Sequence, residues 1–175
     1  AAAISTLRNE FDIPFIGMEP AVKPAAAKTK SGIVGVLATA GTLKAEKYLT
    51  TRGKYAEEVR FVEHVGEGFV ELVERGALKG EEAEAIVRRS LLPLLEAGAD
   101  TIVLGCTHYP FLADTIRKTA GKPVTLIDPA PAVARQLVKV MTEQGISMET
   151  PDGFSIELHS SGDPACLIST YNELV

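Results

Sequence analysis

A short apolar run set between two helical patterns constrains this chain more than any other feature. Thr101-Ile102-Val103-Leu104 is mostly β-branched and apolar, which predicts a strand buried on both faces. Gly105 ends it, and Pro110 suits the first turn of a helix over Phe111–Ala120. Ahead of it, Glu81–Ala97 carries Ile86, Ser90, Leu91, Leu94 and Leu95 at helical spacing, with Gly98 fitting the C′ position. Pro93 inside that helix removes one hydrogen bond and predicts a kink. Helix followed at once by a buried strand is the crossover of a βαβ unit, so the sheet is parallel and the class α/β.

The turn after the strand holds Cys106, Thr107 and His108 together. In an open α/β sheet, ligands bind at the carboxyl ends of strands. A thiol there, near helix N–H groups and an imidazole, is a candidate thiolate base or nucleophile. The bland alternative is a buried thiol used as a small apolar filler beside an ordinary turn histidine.

A second segment repeats the plan. Gly32–Ala38 reads as a buried strand, Thr39-Ala40-Gly41-Thr42 as its turn, and Leu43–Leu49 as a helix. The hydroxyls and free N–H groups of such a turn suit a carboxylate, although a generic βα turn has the same look. Neither Gly-x-Gly-x-x-Gly nor a Walker A pattern is present. Further strands are expected at Asp12–Gly17, Val59–Val65, Val124–Ile127 and Ser155–Leu158. Further helices are expected at Ala1–Phe11, Phe69–Arg75, Pro129–Gln144 and Ala165–Val175, with a helical turn or linker at Ala25–Lys30. Asp128 is read as a helix cap, Cys166 as packing, and Ser161-Gly162-Asp163 as a structural turn. His64 and His159 are given no role.

Composition excludes several classes. A net charge of −5 is the wrong sign for a nucleic-acid footprint. No apolar run approaches the roughly 18 residues that a membrane helix needs. Ala1–Ala3 have neither the basic leader nor the apolar core of a signal peptide. Two cysteines 60 positions apart, Cys106 and Cys166, make no disulfide framework and point to free thiols in the cytoplasm. No metal-ligand spacing stands out.

The run Leu104-Gly105-Cys106-Thr107-His108-Tyr109-Pro110 resembles the C-terminal cysteine motif of the glutamate racemases, in the Asp/Glu racemase superfamily. The resemblance extends over nearly the whole chain. It implies a three-layer α/β sandwich with mostly parallel sheets. The implied activity interconverts L- and D-glutamate without a cofactor, supplying D-glutamate for peptidoglycan.

Moving an α-proton without pyridoxal phosphate takes two thiols on opposite faces of the α-carbon. No phosphate cradle is recognisable here, and Lys44 and Lys47 simply lie on a helix. The resemblance makes Cys106 the base that faces L-glutamate, with His108 assisting. It implies that Thr39, Thr42, Thr107 and His108 hold the substrate. Glu74, in Leu72-Val73-Glu74-Arg75-Gly76, matches a functional glutamate, whose carboxylate could orient the imidazole. Aspartate racemases usually carry an acidic residue where His108 stands, which favours glutamate.

The chain also departs from the family. Neither the Cys-Asn-Thr motif nor the Asp-Ser motif of the N-terminal half is present. The expectation is an incomplete chain, unable to racemise alone. On that pattern residues 28–132 form one whole domain, while 1–27 and 133–175 belong to another. Such a chain exposes apolar surface, and the expectation is either a missing half that lies outside this sequence or association, a homodimer being one form. The rival readings are a Cys/His thiol hydrolase or transferase and a non-catalytic α/β binding domain.

Overall fold

The computed structural model describes residues 3–18, 20–146 and 155–174, without the side chains of Cys166, Glu173 and Leu174. The chain opens with α1 (Ile4–Glu10) and α2 (Val22–Lys28), then β1 (Ile33–Ala38), α3 (Ala40–Leu43) and α4 (Glu46–Gly53). Next come β2 (Arg60–Val65), α5 (Phe69–Glu74), α6 (Glu81–Glu96) and β3 (Thr101–Gly105). A 3-10 turn (Tyr109–Leu112) leads into α7 (Ala113–Ala120), then β4 (Thr125–Ile127), α8 (Ala130–Glu143) and α9 (Pro164–Leu174).

The four strands form one sheet in the order β2-β1-β3-β4, and every pairing is parallel. The central strands β1 and β3 are buried on both faces, as their near-continuous apolar sequence requires. Because side chains alternate, each strand feeds two cores. Leu37, Ile102 and Leu104 join Phe69, Leu91, Leu94, Tyr109 and Ile116 on the side of α5, α6 and α7. Val34, Val36, Val103 and Ile127 join Val22, Ala25 and Tyr48 on the side of α2 and α4. Helix, sheet and helix make the three layers that the resemblance implies.

The helix before β3 forms as its periodicity predicts. Ala83, Val87, Ser90, Leu91 and Leu94 are its buried face. Ser90 is accommodated there because its hydroxyl donates to the carbonyl of Val65, at 2.9 Å. Pro93 lies inside the helix on its exposed side, and the helix runs on to Glu96. Gly98 closes it at φ +93°, a left-handed conformation that glycine adopts freely. Ala99 N–H then bonds back to Leu94 O at 3.0 Å and Gly98 N–H to Leu95 O at 3.1 Å, a Schellman ending.

Asp100 ties the amino ends of the central strands together. Thr29 Oγ1 donates to its Oδ1 at 2.7 Å, and the N–H groups of Lys30 and Ser31 donate to its Oδ2 at 2.8 Å each. Its own carbonyl accepts from Thr125 N–H at 2.8 Å. One residue thus joins the approach to β1, the start of β3 and the start of β4.

Three expectations are corrected. Asp12–Gly17 is irregular, not a strand: Pro14 offers no N–H, and no strand lies against the segment among the described residues. Ser155–Leu158 is likewise no strand; these residues are all exposed and pair with no strand among the described residues. The turn Thr39–Thr42 is itself the start of a short helix, because Thr39 Oγ1 accepts from Thr42 N–H and caps α3. The helix expected at Leu43–Leu49 is therefore split between α3 and α4. Asp128 does cap, its Oδ1 accepting from Ala130 N–H at 2.8 Å. Asp163 does the same for Ala165 N–H at 2.9 Å. Neither α1 nor α8 buries any residue, and Phe11, Ile13, Leu137 and Val138 are exposed. Among the described residues, no helix is long and apolar enough to cross a membrane.

The Asp100 junction yields a pH test. Burial alone raises the pKa of this carboxyl, but the Thr29, Lys30 and Ser31 hydrogen bonds outweigh it and hold the value at about 2, below the ordinary 3.8. A lowered folded-state pKa stabilises the fold above the ordinary pKa, and that contribution is lost as pH falls through the folded value. Asp100→Asn is expected to lower stability at pH 7 by on the order of 1 kcal/mol. The gap between wild type and variant should close as pH falls from about 4 to about 2. Denaturant titrations at several pH values check it; a gap that does not change with pH would show that the charge contributes nothing.

Candidate active site

Strand order decides where a crevice opens. From β1 the chain steps to β2 on one side, then returns to β3 and β4 on the other. The loops leaving β1 and β3 therefore diverge, and a crevice lies between the carboxyl ends of those two strands. Ala38 and Gly105 are the last paired residues there. Thr39 follows one and Cys106 follows the other.

A cleft of about 490 Å³ occupies this crevice. Thr39 and Thr42 line one side, Cys106 and Thr107 another, and α4 adds Lys47 and Tyr48. The two threonine hydroxyls of α3 bond each other at 2.9 Å. The cleft therefore combines hydroxyl groups and a thiol within largely apolar walls, a usual make-up for a small-molecule site. Among the described residues, no group of His, Cys, Asp or Glu could hold a metal ion.

Gly105 is fixed by the close approach of the two strands. A Cβ there would stand 2.8 Å from the Ala38 Cβ and 3.1 Å from the Leu37 carbonyl oxygen, which leaves room only for glycine. Beneath the turn, Tyr109 is buried and donates to Gly66 O at 3.2 Å. Its ring meets Phe69 edge-on, with centroids 4.9 Å apart. Burial, and then the nearby Cys106 charge, push the Tyr109 hydroxyl above its usual pKa, so it stays a donor.

His108 stands next to the thiol. Its Nδ1 is 3.9 Å from Cys106 Sγ and 3.4 Å from Thr107 Oγ1. Its Nε2 is 3.4 Å from Glu74 Oε1, at the end of α5. Glu74, His108 and Cys106 thus form a chain from carboxylate to imidazole to sulfur. Neither His108 nor Glu74 lines the cleft. Glu74 lies 32 positions before Cys106, and α5 brings it there through Phe69, Leu72 and Val73, which are buried in the core. On the far side, Thr170 of α9 donates to the Glu74 carbonyl at 3.3 Å.

Residues 1–137 match the Asp/Glu/Hydantoin racemase family. The chain belongs to this family. It is 47% identical over 163 residues to the glutamate racemase of Herpetosiphon aurantiacus, covering 93% of this chain and 64% of that protein. It is 46% identical over 167 residues to that of a Roseiflexus species, covering 94% and 61%. Among solved structures, Escherichia coli glutamate racemase in complex with L-glutamate and the activator UDP-MurNAc-ala is similar with a TM-score of 0.79. That match is 30% identical and covers 99% of this chain and 66% of the other. Each relative is longer: this racemase-family chain spans less than two thirds of the curated ones.

The structure gathers Thr39, Thr42, Cys106 and Thr107 around one cleft and sets His108 and Glu74 beside it. Sequence reasoning did not pick out Tyr48 or place Lys47 in the cleft. The available signal was spacing: Ala45, the N-cap of α4, and Tyr48 lie three apart after the threonine turn. Tyr48 is buried and donates to Glu63 Oε1 at 2.7 Å, and Arg52 donates to the same oxygen at 2.6 Å. Burial first, then the bond to Glu63, hold the Tyr48 hydroxyl protonated. Among the described residues, His64 bonds the adjacent Val65 carbonyl and His159 meets exposed Glu157. Cys166 lies on α9, but its side chain is outside the described residues, as is Glu19.

A cation within reach of a thiol favours the thiolate, the form that reacts with alkylating agents. Replacing His108 by Ala should slow iodoacetamide modification of Cys106 at pH 7 by roughly 3- to 10-fold. Glu74→Gln should slow it less, because it acts only through the imidazole. Mass mapping of the modified peptide gives the rate; a His108→Ala rate equal to wild type would make His108 an ordinary turn residue.

Proposed function

We propose that this chain carries one catalytic half of a glutamate racemase, an isomerase that inverts the α-carbon of glutamate without a cofactor. The observation that carries the reading is the single cleft that Cys106 shares with Thr39, Thr42 and Thr107. Relatives at 46–47% identity that are glutamate racemases support it. Cys106 is the base that removes the α-proton of L-glutamate, and His108, oriented by Glu74, stabilises its thiolate. The hydroxyls of Thr39, Thr42 and Thr107 hold the substrate's polar groups, with His108 near the same end. The apolar walls keep water from the carbanion as it forms.

Inversion needs a second acid on the opposite face. Cys106 is the one thiol among the described residues that line the cleft. We therefore propose that this chain alone exchanges the α-proton but does not racemise. Residues 28–132 form its working domain, with α2 packed on it, and the segments on either side belong to a second domain. The same reading puts the protein in the cytoplasm, as a supplier of D-glutamate for peptidoglycan. Self-association as a homodimer would cover the exposed apolar residues of α8, Leu137 and Val138.

L-Glutamate incubated with the chain in D₂O should lose its α-proton signal and keep its configuration, and Cys106→Ser should abolish the exchange. Exchange with inversion would reveal a second acid and overturn the one-thiol reading. If the chain lengthened to its relatives' extent were also inert, the racemase reading would fail. A Cys/His hydrolase would instead accumulate a covalent acyl group on Cys106 without any α-proton exchange.

A further inference from the structure

α4 supplies part of the wall of the Cys106 cleft, yet little in its own sequence holds it there. It has 8 residues, and isolated helices shorter than about 12 are marginal in water. Its N-cap, Ala45, makes no side-chain hydrogen bond, and Thr50, Thr51 and Gly53 are weak helix formers. Tyr48 is its only buried residue, while Leu49 is exposed. Apolar packing of α4 therefore rests mainly on one aromatic ring.

That ring is fixed by its tip. Tyr48 Oη donates to Glu63 Oε1 at 2.7 Å, and Arg52 Nη1, one turn further along α4, donates to the same oxygen at 2.6 Å. Glu63 belongs to β2, where it stands opposite Val36 of β1, and it does not line the cleft. One carboxylate outside the cleft thus ties two turns of α4 to the sheet, and the bond from Arg52 is charge-assisted.

The effect reaches the threonines. Ala45 N–H donates to the Thr42 carbonyl at 3.1 Å, and Thr42 N–H donates to Thr39 Oγ1 at 3.3 Å. The segment from Thr39 to Tyr48 is held at one end by β1 and at the other by Glu63.

We propose that Glu63 is a positioning residue for the Cys106 cleft: through Tyr48 and Arg52 it sets where α4 and Thr42 stand, and so how tightly the cleft holds its substrate. The identity of that substrate, L-glutamate, rests on the racemase reading; the placement of α4 does not.

Two measurements test this. The first follows amide hydrogen exchange in the wild-type chain, in Tyr48→Phe and in Glu63→Ala. Both variants should speed exchange over residues 40–53 by roughly 2- to 10-fold, the worth of one net hydrogen bond, and leave residues 101–120 unchanged. Unchanged exchange over 40–53 overturns the proposal. So does an equal rise in both segments, which would make Glu63 a general stabiliser of the fold.

The second measures iodoacetamide modification of Cys106, read from its own peptide, against increasing L-glutamate. A ligand in the cleft shields the thiol, so the concentration that gives half protection reports binding and needs no turnover. Each variant should raise that concentration by roughly 2- to 10-fold and leave the rate without glutamate unchanged. The double variant should match Glu63→Ala alone, because both changes remove the same bond. Half protection at the wild-type concentration, or effects that add in the double variant, overturns the proposal.

The two readings fail separately. If L-glutamate does not shield Cys106 in the wild-type chain, the racemase reading fails, and hydrogen exchange alone decides the role of Glu63. Shielding and α-proton exchange that are indifferent to Glu63 support the racemase and sink this proposal.

Discussion

The pairing of β1 with β3 is the constraint on which the rest of the structure depends. These strands are the centre of the sheet and the point where its order reverses. At their carboxyl ends the backbones come so close that Gly105 has no space for a Cβ beside Ala38. That approach sets Thr39 and Cys106 at adjacent positions of the register, though they are 67 residues apart in the chain. At the opposite end, Asp100 holds the same strands with three hydrogen bonds to its carboxylate. The sheet is pinned at one end and opened at the other by its topology.

Around that crevice, helices deliver groups that the strands do not carry. α5 buries Phe69, Leu72 and Val73 and thereby places Glu74 within 3.4 Å of His108. Tyr109 anchors the turn from below, through Phe69 and the Gly66 carbonyl. α4 is anchored by Tyr48 and Arg52 on Glu63, which fixes the wall opposite Cys106. At Tyr109 and Tyr48 a buried aromatic ring does the positioning and a polar tip supplies direction. The polar groups of the site are few, and each of these contacts ties it to the sheet or to a core helix.

Much of this was legible in the residues because it is local. Thr101–Leu104 and Gly32–Ala38 are too apolar to be anything but buried, and each is followed by its own turn chemistry. The Cys106, Thr107 and His108 cluster is contiguous, so no tertiary knowledge is needed to see it. Glu74 was legible only through resemblance, since nothing in its neighbourhood separates it from exposed Glu71. Asp12–Gly17 and Ser155–Leu158 misled because alternating apolar residues propose a strand, whereas a strand exists only with a partner to complete its hydrogen bonds. Lys47 and Tyr48 were passed over because a helix pattern shows which face is apolar, not what that face looks onto.

The sequence by itself determined the α/β class, the parallel sheet, the two βα turns that hold the polar groups, and the thiol and imidazole on one of them. These follow from periodicity, glycine and proline placement and side-chain chemistry, which act over a few residues. Only the tertiary structure decided that the two turns face each other, that Glu74 reaches His108, and that Lys47 lines the same cleft as Cys106. Those relations depend on strand order and on which helix faces are buried, and such choices are made by contacts between residues far apart in the chain.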